Sequence, residues 1–296
     1  NLNLGKCFDD LRSAKVSVMR GRFITGLSLL LWRMLVLVSL AVACISMGVT
    51  MGKHLPETSQ LAYQSNRGRG WDIYVVDIRR HVEVRMTFDR AFDYAPSWSP
   101  DGSQIAFSSG RSGFYDIYLI DLNTRQTAAL TTGLSPEIRP RWLDQTTIQY
   151  EVIGELESGN NLYHLDLLSG QRQFVGSIAP WLVPGILSPD STHLAAVKAE
   201  RGNFDIAVHE IAHARESRIA AHSANEHHPA WSGDSQWLAF ASDRDGNWEI
   251  YIASLDGTQV ERVTYNRGHD SMPSWRPERA TSGSGLASAV LLPCRC

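Results

Sequence analysis

Between Cys44 and Cys294 the chain has no cysteine, and its four cysteines all lie near the ends, at 7, 44, 294 and 296. A disulfide framework therefore cannot hold the body of the protein together. No charge of one sign dominates either. The formal net charge of -3 over 296 residues gives no basic surface for bulk nucleic-acid binding. No stretch resembles a phosphate loop, a nucleophile triad or a haem-attachment motif, so no cofactor is expected. Long apolar runs are missing after residue 52, which leaves the 43% hydrophobic content to short segments and one exception.

The exception is at the N-terminus. Leu27 to Val49 carries one charge, Arg33, and Met34 to Gly52 carries none. About 20 apolar residues span a bilayer as helix, and a cleavable signal has a shorter apolar core. The expectation is one transmembrane α-helix over 26–52, following a cytoplasmic segment 1–25. Lys6, Arg12, Lys15, Arg20 and Arg22 precede the span, and Lys53 follows it. The positive-inside rule then places the N-terminus in the cytoplasm of a bacterium and the rest in the periplasm or outside. Arg33 is expected to snorkel to the interface or to contact a partner's membrane helix.

What fills residues 53–277 is a repeat. Prolines fall at 96, 140, 184, 229 and 273, at spacings of 44, 44, 45 and 44. Tryptophan follows two residues later at 98, 142, 231 and 275, and Ile186 stands at the fourth place. A second anchor keeps the same step: Asp72-Ile73-Tyr74, Asp116-Ile117-Tyr118, Asn161-Leu162-Tyr163, Asp205-Ile206-Ala207 and Glu249-Ile250-Tyr251. Two anchors on one such period, with several short strands per unit, predict an all-β fold, the β-propeller. The first unit has no Pro-x-Trp strand, and Pro273-Ser274-Trp275 has no unit behind it. The expected solution is a five-bladed β-propeller in which 273–276 becomes the inner strand of the first blade, pairs with Leu61-Ala62-Tyr63 and closes the ring. Residues 278–296 read as a tail, and Cys294 and Cys296 as part of it.

Ser242-Asp243-Arg244-Asp245-Gly246-Asn247-Trp248-Glu249-Ile250-Tyr251, with Pro96-Ser97-Trp98-Ser99-Pro100-Asp101-Gly102, resembles the repeats of TolB-type propellers. These are periplasmic propellers named after a component of the Tol–Pal envelope system. The resemblance covers residues 57–277 and implies protein–protein contact in the cell envelope. The family's namesake carries an extra α/β domain and six blades, where this chain has an apolar span and five. Similar repeats stand beside α/β-hydrolase domains in prolyl-oligopeptidase-like peptidases. Such a domain needs a nucleophile elbow and a few hundred residues, neither of which follows residue 277.

Candidate chemistry is sparse. His209-Glu210-Ile211-Ala212-His213 spells a zinc-peptidase motif, but the period puts His209 in a strand. Residues four apart in a strand are about 13 Å apart, too far to share a metal. No metal site is expected. Three residues before each proline stand Asp93, Glu137, Trp181, Glu226 and Asp270. These fall in loops at one mouth of the channel. Arg67, Arg111, Arg201 and Arg244 recur in the loops between second and third strands, on the same face. Two readings stand: a polar ring that binds a ligand or partner, or arginines that pair with nearby carboxylates and pin loops together. The asymmetries, Trp181 and Glu226-His227-His228, mark where a site would be.

The leading expectation is a non-enzymatic, membrane-anchored scaffold or accessory subunit of a bacterial membrane complex, whose partners are envelope proteins. The alternatives are a glycan- or peptide-binding sensor and a glycosidase-type hydrolase using a pair of the mouth carboxylates.

Overall fold

The computed structural model describes residues 55, 59–154, 159–178, 185–200, 202–219 and 222–278. The expected membrane helix, Arg33, Trp181 and Arg201 lie outside them. No helix among the described residues is long and apolar enough to cross a membrane.

Five four-stranded antiparallel sheets make up the fold. The first blade contains β1 (Gln60–Ser65), β2 (Asp72–Asp77) and β3 (Val82–Arg85). The second runs through β4 (Asp93–Trp98), β5 (Gln104–Ser109), β6 (Asp116–Asp121) and β7 (Thr127–Ala129). The third has β8 (Glu137–Trp142), β9 (Thr147–Val152), β10 (Asn160–Asp166) and β11 (Arg172–Ile178). The fourth has β12 (Ile186–Leu187), β13 (His193–Glu200), β14 (Asn203–Glu210) and β15 (Arg215–Arg218). The fifth has β16 (Glu226–Trp231), β17 (Trp237–Ser242), β18 (Glu249–Ser254) and β19 (Val260–Arg262). The last strand, β20 (Asp270–Trp275), returns to the first blade. There Leu61 lies opposite Trp275 and Ala62 opposite Ser274, so the orphan strand closes the ring as its spacing predicts.

Four of the five inner strands start three residues earlier than the prolines suggest, the exception being β12. A β-bulge explains the difference. Ala95 and Pro96 together oppose Phe107, and Arg139 and Pro140 oppose Tyr150. His228 and Pro229 oppose Phe240, and Met272 and Pro273 oppose Tyr63. The residue before each proline is left-handed, with φ of 53°, 53°, 54° and 52°. The bulge excuses proline's missing N–H from the ladder and lets the strand run on past it. The bulge N–H is not wasted: that of Ala95 donates to Gln64 Oε1 at 3.1 Å and that of Arg139 to Ser108 Oγ at 2.9 Å, both on the preceding blade.

The blades stack through their tryptophans. The indole N–H of Trp98 donates to the Ser274 carbonyl, that of Trp231 to Ile186 and that of Trp275 to Ala230, at 2.9–3.1 Å. Apolar residues of the first and fifth blades form one cluster that includes Leu61, Tyr63, Trp237, Ile252 and Trp275. Among the described residues no such cluster joins the third blade to the fourth.

A threonine recurs where the outer strands of the first, second and fifth blades end. The Oγ1 of Thr87, Thr131 and Thr264 accepts from the buried N–H of Ile73, Ile117 and Ile250, each at 2.9 Å. Thr264 also donates to Glu249 Oε2 at 2.6 Å. Thr264→Val keeps the shape and strands both partners, so it is expected to cost about 2 kcal/mol in urea unfolding. A loss within experimental error would mean that these bonds are replaced in solution.

Candidate functional site

Chain direction fixes what shares a face. Each inner strand starts at the mouth. The loop between second and third strands and the loop to the next blade therefore open on that same face. The four mouth carboxylates are placed there, but not in loops. Asp93, Glu137, Glu226 and Asp270 are the first residues of their strands and are 0–2% exposed. The bulge is the reason, since it lets pairing extend past the proline. Their backbones are tied down as well: the N–H groups of Asp93, Glu137 and Asp270 donate to Trp71, Tyr115 and Trp248 of the preceding blade.

Three of the four carboxylates meet an arginine. Arg111 Nη2 lies 3.0 Å from Asp93, and Arg244 Nη2 lies 2.6 Å from Glu226. Glu137 pairs with Arg172, on the outermost strand of its blade. Nothing at the 44-residue step marks Arg172, and its loop-borne counterparts gave no hint of it. Arg67 does not take Asp270. It binds Glu83 on the outer strand and the Tyr63 hydroxyl at 2.6 Å.

Every one of these arginines lies on an aromatic pair from the middle strands. Arg111 stacks over Tyr118 at 4.7 Å and Phe107 at 5.4 Å. Arg244 does so over Tyr251 and Phe240, Arg172 over Tyr150 and Tyr163, and Arg67 over Tyr74 and Tyr63. The aromatic face holds the guanidinium in place and adds cation–π attraction. In the fourth blade the aromatic positions are Ala196 and Ala207, so that blade has no such platform. The third-strand acids form a second tier: Asp72 with Arg85, Asp205 with Arg218 and Glu249 with Arg262, at 2.8–3.3 Å.

Electrostatics separate the mouth acids. Burial pushes the Glu226 carboxyl up to about 7, against the pull of Arg244. Burial likewise pushes Asp270 up to about 6, against hydrogen bonds from Ser65, Thr264 and Asn266. Asn266 Nδ2 donates to Asp270 Oδ2 at 2.6 Å, and Oδ1 is buried without a hydrogen bond. His227 packs against Phe204 and Trp248, with ring centres 4.8 and 5.3 Å away. His228 stands at the bulge of β16 and keeps solvent exposure there. Burial and the charges of His227 and Arg139 bring its pKa down to about 4.

His209 and His213 are not brought together on a metal. His209 lies in β14 beside Glu216 at 3.3 Å, and His213 sits in the following turn beside Glu210. Among the described residues no group of three metal-ligating side chains converges.

The mouth face also exposes apolar surface that sequence reading passed over. Phe88, Phe92, Phe114, Leu134 and Tyr265 all lie in loops on this face, 51–90% exposed. Phe88 and Tyr265 both follow the recurring threonine, at Thr87 and Thr264, but Phe92, Phe114 and Leu134 share no repeat position, so the period alone does not single out the set.

A family model described as the TolB beta propeller domain matches residues 41–150 and 129–282. The Tol-Pal system protein TolB of Desulfosudis oleivorans is 31% identical over 109 residues, 36% of this chain and 24% of that protein. The protein TolB homolog of Chlorobium chlorochromatii is 32% identical over 92 residues, 31% of this chain and 20% of that protein. The matches thus span about a quarter or less of these relatives' length. Among solved structures, hydrazine synthase of Kuenenia stuttgartiensis superposes with a TM-score of 0.50 at 13% identity, over 76% of this chain and 48% of that one. TolB of Acinetobacter baumannii gives 0.45 at 24% identity, over 75% and 56%. At 13% identity the likeness to hydrazine synthase speaks for the fold alone.

Proposed function

The chain belongs to the TolB β-propeller domain family, and from that premise we propose that it is a protein-interaction module of the bacterial envelope. Its ring is an accessory or scaffolding subunit of a membrane complex. Residues 26–52 anchor it as a single helix with the propeller on the periplasmic or outer side, and Arg33 faces the partner's membrane helix or the interface.

The observation that carries this reading is the exposed apolar rim of Phe88, Phe92, Phe114, Leu134 and Tyr265 on the mouth face. Exposed aromatics gathered on one face are what protein partners bury. The names of the curated relatives, drawn from the Tol-Pal system, supply the envelope setting. Asp93, Glu137 and Glu226 fit a supporting role beneath this rim, because each is buried and held by an arginine. A hydrolase would need two of these carboxylates released toward substrate.

The test is native mass spectrometry of the full chain, extracted in mild detergent at its natural expression level. A stoichiometric envelope protein is expected to travel with it. A partner-free monomer would overturn the proposal. The triple variant Phe88→Ser, Phe114→Ser, Tyr265→Ser is expected to lose that partner while its melting temperature moves by only roughly 2–3 °C, since exposed side chains contribute little to stability. Retention of the partner by a folded triple variant would move the interface elsewhere.

A further inference from the structure

Among the described residues, three loop arginines of the mouth face make no side-chain hydrogen bond or ion pair: Arg69, Arg90 and Arg267. All three are exposed. Arg67, Arg111 and Arg244, from loops of the same face, are each matched to a carboxylate.

The three belong to one surface. They stand on the loops 66–71, 86–92 and 265–269, which pack against one another around the first blade. Gly268 lies so close to Arg67 that a Cβ there would come within 2.6–2.8 Å of its N, Cα and Cβ. Beside it the His269 N–H donates to Asn66 Oδ1 at 2.7 Å, and the Asn66 N–H donates to the His269 carbonyl at 3.3 Å. On the other side, a Cβ at Gly70 would lie 3.7 Å from the carbonyls of Arg90 and Ala91 and from Phe92 Cδ1. Each unmatched arginine therefore stands at or next to a contact between loops. In Arg69-Gly70 and Arg267-Gly268 the glycine lets two backbones meet, and the arginine beside it stays in solvent.

The charge on these loops is one-sided. Their one acid is Asp89, whose Oδ1 accepts the Ala91 N–H at 2.9 Å. Phe88, Phe92 and Tyr265 are exposed on the same three loops. Guanidinium groups without a counter-charge, set among exposed aromatics, complement a segment that is acidic and partly apolar. The residue types favour protein over lipid. No lysine lies on these loops, and protein interfaces are rich in arginine and aromatics and poor in lysine. A patch that recruits anionic lipid takes about 4–8 Lys or Arg side chains.

We propose that these loops bind an acidic segment of the protein partner: Arg69, Arg90 and Arg267 take its carboxylates, and Phe88, Phe92 and Tyr265 cover its apolar residues. The planar guanidinium fork binds a carboxylate through two parallel hydrogen bonds. The site presupposes that the mouth is a protein-contact face, and it fixes the sign of the partner's charge and the blade it meets.

The experiment is fluorescence anisotropy of the full chain with a labelled synthetic peptide of repeated Glu-Glu-Phe, and with its Lys-Lys-Phe counterpart. The acidic peptide is expected to bind and the basic one not. The triple variant Arg69→Ser, Arg90→Ser, Arg267→Ser is expected to bind the acidic peptide at least about tenfold more weakly. It breaks no ion pair within the described residues, so its melting temperature should stay within roughly 2 °C of the parent. No binding of the acidic peptide, or equal binding by the triple variant, would overturn the proposal. So would arginine-dependent binding to phosphatidylglycerol vesicles without binding of the peptide. Native mass spectrometry separates this site from the accessory-subunit role. A partner kept by the arginine variant but lost by the Phe88, Phe114 and Tyr265 variant sinks the acidic-segment site alone. A partner-free parent that binds the acidic peptide sinks the subunit role alone.

Discussion

Trp275→Ala is expected to lower the unfolding free energy by about 4 kcal/mol, among the largest losses any single substitution in this chain can produce. Trp275 is 6% exposed and sits in the apolar cluster shared by the first and fifth blades. Removing it leaves a cavity at the seam where the two ends of the ring meet. It also frees the Ala230 carbonyl, which accepts the indole N–H at 3.1 Å. The position matters as much as the size. β20 reaches the first blade from more than 200 residues away in sequence, so its binding free energy sets against one large loop-closure cost. Trp98→Ala provides the comparison. Trp98 is equally buried and makes the same kind of bond, to Ser274, but its own blade is continuous in sequence. Urea unfolding followed by circular dichroism should show Trp98→Ala losing a similar free energy in one cooperative step. Trp275→Ala should in addition let the first blade open before the rest, as a separate early transition. A chain ending at His269 goes further: it leaves the edge of β1 unpaired and should aggregate. If Trp275→Ala costs no more than a surface substitution, the ring is held shut by something other than this strand.

That closure was legible because two anchors recur at one step, and an orphan proline–tryptophan strand needs a home. Other features hide from a period for physical reasons. The inner strands begin at Asp93, Glu137, Glu226 and Asp270, because a bulge at the residue before proline carries pairing past a residue that ordinarily ends it. Proline reads locally as a boundary, and only the partner strand reveals otherwise. The outermost strand of the fourth blade, Arg215–Arg218, is Arg-Glu-Ser-Arg, with no apolar residue to announce it. It exists because β14 offers it an edge.

The site divides in the same way. Which carboxylates gather at the mouth follows from spacing, since topology repeats with sequence. Which arginine each one binds does not. Arg67 looks equivalent to Arg111 and Arg244 but prefers Glu83, so Asp270 keeps only amide and hydroxyl donors. Arg172 arrives from the far strand, where no repeat predicts it. Side-chain reach decides these pairings, and reach is a property of packing.

The unequal pairing has a consequence in pH. Glu226 and Asp270 both hold protons more tightly in the folded chain than in the unfolded one, at about 7 against 4.5 and about 6 against 3.8. Between the two values of each pair the folded state binds more protons, so stability falls as pH rises. The contribution is fully present below about pH 4 and is gone above the folded values, with Glu226 alone worth on the order of 3 kcal/mol. Asp101, Asp144 and Asp190 act in the opposite sense, because turn hydrogen bonds hold their carboxyls low and stabilise the fold only once they ionise. Their effect is confined to pH below the ordinary aspartate value, so the two windows barely overlap. His228 opposes the two carboxylates: its pKa is brought down to about 4 against 6.5, so between those values the unfolded chain binds more protons and stability rises with pH. The protein should therefore lose stability from about pH 5 to 7 with a net slope of roughly one carboxylate. Asp270→Asn keeps the shape and removes the lower part of the slope, and Glu226→Gln removes the upper part. The double variant is expected to lose the decline and, through His228, to gain stability from pH 5 to about 6.5, ending more stable than the parent at pH 8, by urea unfolding at each pH. If the parent instead gains stability from pH 5 to 7, both carboxylates are ionised throughout and the mouth is wetter than its geometry allows.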